Sequence, residues 1–155
     1  MSLTELINEE IKKAMLAREK DRLEALRSIK AAFMLARTDK GSDHTLSESD
    51  ELKIIQKLVK QRKDSADIYK EQKREDLYEK EMFEYEVIST FMPKQMDEGE
   101  IRTYISDLIK EMGATSMQQM GQVMGRASKE LSGKADGKII SGIVRELLSQ
   151  DPASN

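Results

Sequence analysis

A pattern recurs along this 155-residue chain: a short side-chain acceptor, an acidic residue three positions later, then apolar residues three and four apart. Ser2 with Glu5, Asp21 with Glu24, Ser47 with Asp50 and Asp97 with Glu100 all fit it. The acceptor can satisfy an amide of a first helical turn while the carboxylate reaches back to the cap amide. The 3–4 spacing puts the apolar residues on one helical face. No segment carries a strand pattern, so an all-α fold is expected.

The first helix starts near Leu3 on the stripe Leu3, Leu6, Ile7, Ile11, Ala14 and Met15, and "REKDR" interrupts it. Asp21 opens a second, with Leu23, Leu26, Ile29, Phe33 and Ala36, ending near Gly41. "DKGSDHTLSES" holds turn formers without periodicity and reads as a loop. A long third helix carries Leu52, Ile55, Leu58, Val59, Ala66 and Tyr69, with a break in "KEQKRED". A fourth carries Leu77, Tyr78, Tyr85, Ile88, Phe91 and Met92 until Pro93, which lacks a donor and pushes Met92 from helical angles.

Shorter units follow. Ile101, Tyr104, Ile105, Leu108 and Ile109 precede Gly113, which tolerates a left-handed helix end. Ser116 opens a helix with Met117, Met120, Val123, Met124 and Leu131, and the last helix presents Ile139, Ile140, Ile143, Val144, Leu147 and Leu148. The expected organisation is an N-terminal helical bundle over 1–92, a hinge at 93–96 and a small three-helix tail domain over 97–150.

Composition narrows the function classes. Charged residues make up 35% and aromatics 5%, with no tryptophan and two prolines, the profile of helices with much solvated surface. The absence of cysteine removes disulfides, thiolate catalysis and cysteine metal sites, and is compatible with a reducing compartment. No stretch approaches the ~18 apolar residues of a membrane span, and the acidic "MSLTELINEE" is unlike a secretory signal. No membrane partner and a cytoplasmic location are therefore expected. Charge is unevenly spread: Lys12 to Lys40 and Lys53 to Lys63 are each net +5, whereas Glu71 to Glu86 is net −4. The chain is dipolar if its helices hold these segments apart.

The stretch "SGKADGKIISG", Ser132 to Gly142, admits three readings. A Walker-type phosphate loop needs four residues between its first glycine and a Gly-Lys-Ser/Thr, and a preceding buried strand, and both are missing. Gly133 can end one helix and Asp136 cap the next, with Gly137 in its first turn. Compatibly, Lys134 and Lys138 flank a helix N-terminus that would suit phosphate, although the Asp136 carboxylate already occupies those amides.

"MGQVMGRASKELSGKADGKIISGIVRELL" resembles the tail domain shared by GatB and the YqeY proteins. "RLEALRSIKAAF", "IIQKLVKQRKDSADIY" and "FMPKQM" extend the resemblance to YqeY proteins over roughly the full length. At "FMPKQM" the family usually has Tyr-Leu-Pro-x-Gln, so Phe91 and Met92 are conservative departures. The resemblance implies an N-terminal helical bundle with a three-helix tail. GatB is a subunit of the tRNA-dependent amidotransferase, a carbon–nitrogen ligase with glutamine as amido donor, and its tail contacts tRNA. The catalytic and ATP-using parts of that subunit have no counterpart here.

Residue chemistry agrees that no catalytic constellation is present. The one histidine, His44, lies in a polar loop beside Asp43 and Thr45. The acidic residues form no recognisable ligand pattern, so no metal and no cofactor is expected; acidic pairs on helix faces commonly partner lysines. Met117, Met120 and Met124 share a face, as core filler or as an adaptable groove. Gly121 and Gly125, four apart, would let another helix approach closely.

The basic helix "KIIQKLVKQRK" places Lys53, Lys57 and Lys60 on one face, with Arg62 and Lys63 extending the charge. This is either a solvated face or, with Lys12, Lys13, Arg27 and Lys30, a surface for a phosphate backbone, giving salt-sensitive, sequence-independent affinity. Arg126, Lys134 and Lys138 are the tail's candidates for the same contact. Two functions stay open: a non-catalytic RNA-binding module, with tRNA and an amidotransferase or tRNA-modifying enzyme as expected partners and no DNA; or a helical adaptor whose acidic helix or methionine face docks a protein.

Overall fold

The computed structural model describes residues 1–39, 41 and 45–150. Seven α-helices and one 3₁₀ turn account for the regular structure, with no strand among the described residues, so the fold is all-α. The chain divides into two compact units, Met1–Met92 and the residues from Pro93 on.

The first unit contains α1 (Leu3–Leu16), α2 (Lys20–Asp39), α3 (Glu48–Glu71) and α4 (Glu75–Ser89). Two of the caps close reciprocally. Ser2 Oγ accepts from Glu5 N–H at 3.1 Å while the Glu5 carboxylate accepts from Ser2 N–H at 2.9 Å, and Ser47 with Asp50 does the same at 3.1 and 3.3 Å.

The Asp21–Glu24 box does not form, because of how α1 ends. Arg18 adopts a left-handed φ of 56°, and Glu19 N–H reaches the Ala14 carbonyl at 3.0 Å while Arg18 N–H reaches that of Met15 at 3.2 Å. This six-to-one closure turns the chain tightly, so α2 starts at Lys20 and Asp21 lies inside its first turn. Glu24 instead faces Lys80 of α4 at 3.5 Å. A second such turn joins α3 to α4, with Lys73 at φ 58° and Arg74 N–H on the Tyr69 carbonyl at 2.9 Å. α4 itself stops at Ser89; Phe91 and Met92 continue as a turn before Pro93.

Ile7, Leu26, Ile29, Phe33, Ile55 and Ile88 form the heart of this unit's core. The buried Glu51 carboxylate ties the first turn of α3 to that of α1, accepting from Thr4 N–H at 2.7 Å and Thr4 Oγ1 at 2.6 Å. It satisfies an amide that a helix N-terminus leaves unpaired.

The second unit contains α5 (Glu98–Met112), a 3₁₀ turn Met117–Gln119, α6 (Met120–Glu130) and α7 (Gly137–Ser149). Asp97 caps α5 through Glu100 N–H at 2.8 Å, and Gly113 ends it at φ 66°. Ile105, Val123, Ala127, Ile140 and Val144 centre the core, with Met120, Met124 and Leu147 packed at its margin. Two expected core members lie outside it: Met117 and Ile139 are 41% and 45% exposed. Ile139 sits ~100° around the helix from Ile140, beyond the buried stripe. Met117 belongs to the 3₁₀ turn, not to the α6 face.

Candidate nucleic-acid interface

Long, capped α3 displays the basic residues. Lys53, Lys57 and Lys60 are exposed, and none has an ion-pair or hydrogen-bond partner among the described residues. Arg62 does not join them: its guanidinium is 3.0 Å from Glu84 Oε2 and 3.3 Å from Glu81 Oε2 on α4. Glu84 is buried and Glu81 half-buried, so this cation offsets the cost of burying the Glu84 carboxylate, and removing it would leave that charge uncompensated. Lys63 pairs with Asp67 at 3.4 Å, an exposed i,i+4 contact that contributes little and is easily exchanged. Lys12, Lys13, Arg27 and Lys30 are all exposed. Lys13 pairs with Glu10 at 3.2 Å; this hydrogen bond, followed by that from Arg22, holds the Glu10 carboxyl below its ordinary range.

The turn after α3 adds a basic group that residue spacing alone did not reveal. Lys70, Lys73, Arg74 and Tyr78 line a cavity of about 570 Å³ together with Glu75 and Asp76. Lys70 Nζ lies 6.0 Å from the Tyr78 ring centroid. Arg74 Nε is 3.5 Å from Asp76 Oδ1, and that contact first, with the Leu77 amide, lowers the Asp76 pKa. The available signal was the triad of cations in "KEQKR" followed by an aromatic four residues beyond Arg74.

In the tail, Gly133 takes a left-handed φ of 76°, and the next helix is capped by Asp136 Oδ1, which accepts from Lys138 N–H at 2.7 Å. Lys134 and Lys138 are exposed beside this cap. Arg126 is held by two carboxylates, Glu111 at 2.9 Å and Glu130 at 3.0 Å. Gly121 and Gly125 are exposed, with nothing within 4 Å of where a Cβ would stand. They therefore provide no close helix approach within the described residues, contrary to their spacing. Gly137 is likewise open, while Pro93 begins the segment that Gln95 and Met96 fasten to the 133–134 turn.

A different surface surrounds Phe83, which is 41% exposed on α4. Asp21, Glu24, Asp76, Glu79 and Glu84 line a cavity of about 430 Å³ beside it, with Lys80 the one cation. His44 lies outside the described residues. Among those described, no group of three histidine, aspartate or glutamate side chains is placed to hold a metal ion, and no helix is long and apolar enough to cross a membrane.

A family model described as Yqey-like protein matches residues 4–148. Altered inheritance of mitochondria protein 41, mitochondrial, from Pyrenophora tritici-repentis is 28% identical over 147 residues, covering 90% of this chain and 77% of the relative. Its namesake from Clavispora lusitaniae is 34% identical over 108 residues, 68% of this chain and 61% of the relative. A glutamyl-tRNA(Gln) amidotransferase subunit from Thermococcus sibiricus is 36% identical over 59 residues, 36% of this chain and 9% of the relative. The expected cytoplasmic location is overturned by the two fungal relatives, which are named as mitochondrial proteins. The signals behind that expectation, no cysteine and no apolar segment, do not distinguish one reducing compartment from another.

Proposed function

We propose an RNA-binding role, non-catalytic and directed at tRNA, for this chain, which belongs to the YqeY-like protein family. The observation that carries the reading is the row Lys53, Lys57 and Lys60, exposed on one helix without partners among the described residues. At 1.5 Å per residue the row spans ~10 Å of α3, and three mobile ammonium groups at that spacing suit a phosphate backbone rather than one fixed anion. Such contacts give affinity through counterion release and carry no sequence information. Lys134 and Lys138 provide a smaller patch in the second unit. Arg62 and Arg126, tied to two carboxylates each, act in this reading by holding helices in place. Similarity to a segment of a protein named as a tRNA amidotransferase subunit supports tRNA as the RNA and an amidotransferase-type enzyme as the associated partner. Recovering the protein from its own cells at low salt tests this: tRNA should accompany it, and a nucleic-acid-free preparation held to one protein would overturn the reading.

The second reading, a protein-docking adaptor, is favoured by Phe83. An exposed aromatic ringed by carboxylates suits a basic segment with an apolar anchor, and Asp21 and Glu79 have no partner among the described residues. A synthetic lysine–leucine amphipathic peptide should bind the wild type and lose affinity with Phe83→Ala. Equal binding of a lysine–serine peptide would reduce the surface to diffuse charge.

A further inference from the structure

We infer that the turn between α3 and α4 is a site for one unpaired RNA nucleotide, its base stacked on Tyr78 and its phosphate among Lys70, Lys73 and Arg74. The inference rests on the RNA-binding reading and adds to it a specific contact on residues outside the lysine row.

The cavity of about 570 Å³ is within the range of small-ligand sites. Its lining brings together what single-strand recognition needs: cations for the backbone and an aromatic face for the base. The turn builds this arrangement. Lys73, left-handed at φ 58°, reverses the chain, so Lys70 from the end of α3 meets Tyr78 from the start of α4. Stacking of a base on an aromatic ring is stronger than an exposed cation–π contact. An arriving base can therefore displace Lys70 from the ring and leave its ammonium for the phosphate.

Charge sets the size of the ligand. Three cations stand with two carboxylates, Glu75 and Asp76, which leaves one net positive charge, matched to a single phosphodiester rather than to a polyphosphate. Base-paired RNA is excluded because its base faces are already stacked within the helix. Asp76, kept ionised by Arg74, offers an acceptor for a ribose hydroxyl or a base amino group.

The test uses the full chain with three fluorescent probes: a single-stranded adenine oligoribonucleotide, a blunt RNA hairpin and tRNA. Tyr78→Ala should weaken the single strand about tenfold and leave the hairpin unchanged, while Tyr78→Phe should bind like wild type. Lys73→Gly, which suits the left-handed position, should keep the fold and make the single-strand salt slope shallower by ~0.7. With four tyrosines and no tryptophan, the oligonucleotide should also quench tyrosine emission less in Tyr78→Phe. Wild-type binding of tRNA with no effect of Tyr78→Ala or Lys73→Gly on the single strand overturns the nucleotide site alone. Failure of the wild type to bind any of the three overturns the RNA reading and this site with it.

Discussion

The side-chain amide of Gln95 donates to the Gly133 carbonyl at 2.7 Å and to the Pro93 carbonyl at 3.0 Å. One residue on, Met96 N–H donates to the Lys134 carbonyl at 2.9 Å. Two segments of the second unit 38 residues apart in sequence, 93–96 and 133–134, are thereby fastened together. Gln95→Ala should remove two side-chain bonds and lower stability by ~1 to 2 kcal/mol in urea titration. No change in the unfolding midpoint would mean that the strap is replaced by water without loss.

Ile143 and Ile139 stand four apart on α7, one 3% and the other 45% exposed. Ile143→Ala should cost ~2 to 5 kcal/mol. Ile139→Ala should change little, within ~0.5 kcal/mol. Equal losses would show that the buried face of α7 is misplaced.

Gly121 and Gly125 weaken an 11-residue helix without any close neighbour. Each change to alanine should therefore stabilise, by ~0.5 to 1 kcal/mol. A lower melting temperature in either variant would reveal an approach within the protein that the open surroundings do not show.

Asp97 caps α5, and the Glu100 amide above all holds its carboxyl below the usual aspartate range. A depressed folded-state pKa contributes stability above the ordinary aspartate range, ~4, which is lost as pH falls through the folded value. Asp97→Asn retains a capping acceptor but cannot titrate. The wild type should lose stability on acidification below pH ~4 more steeply than Asp97→Asn. Parallel curves would remove Asp97 from the acid response.

Helices were legible wherever the local chemistry acted alone. Ser2 and Ser47 close the reciprocal caps that their spacing predicts, Asp97 makes the forward bond of its own, and Gly113 takes the left-handed end that glycine signals. The break in "REKDR" was legible, but the start of α2 at Lys20 was not, because the left-handed residue that sets it is Arg18, which has no glycine signature. Once that turn is made, the Asp21–Glu24 pattern falls inside a helix and has no amide to cap.

The candidate site was legible in part for a related reason. The 53, 57, 60 spacing places three lysines on one exposed face. It carries no information about α4, whose Glu81 and Glu84 engage Arg62. The meeting of Lys70 with Tyr78 likewise depends on the turn at Lys73, and the open surroundings of Gly121 and Gly125 depend on where the other helices lie.

If Lys53, Lys57 and Lys60 meet an RNA backbone, the affinity for tRNA must depend on salt through these three ammonium groups. Fluorescent tRNA titrated at several salt concentrations into wild type and the triple alanine variant separates contact from fold, with melting curves alongside. The triple variant should keep its melting temperature, bind more weakly at every salt concentration, and show a slope of log affinity on log salt shallower by ~2 to 3. An unchanged affinity and slope in a variant that melts like wild type would contradict it.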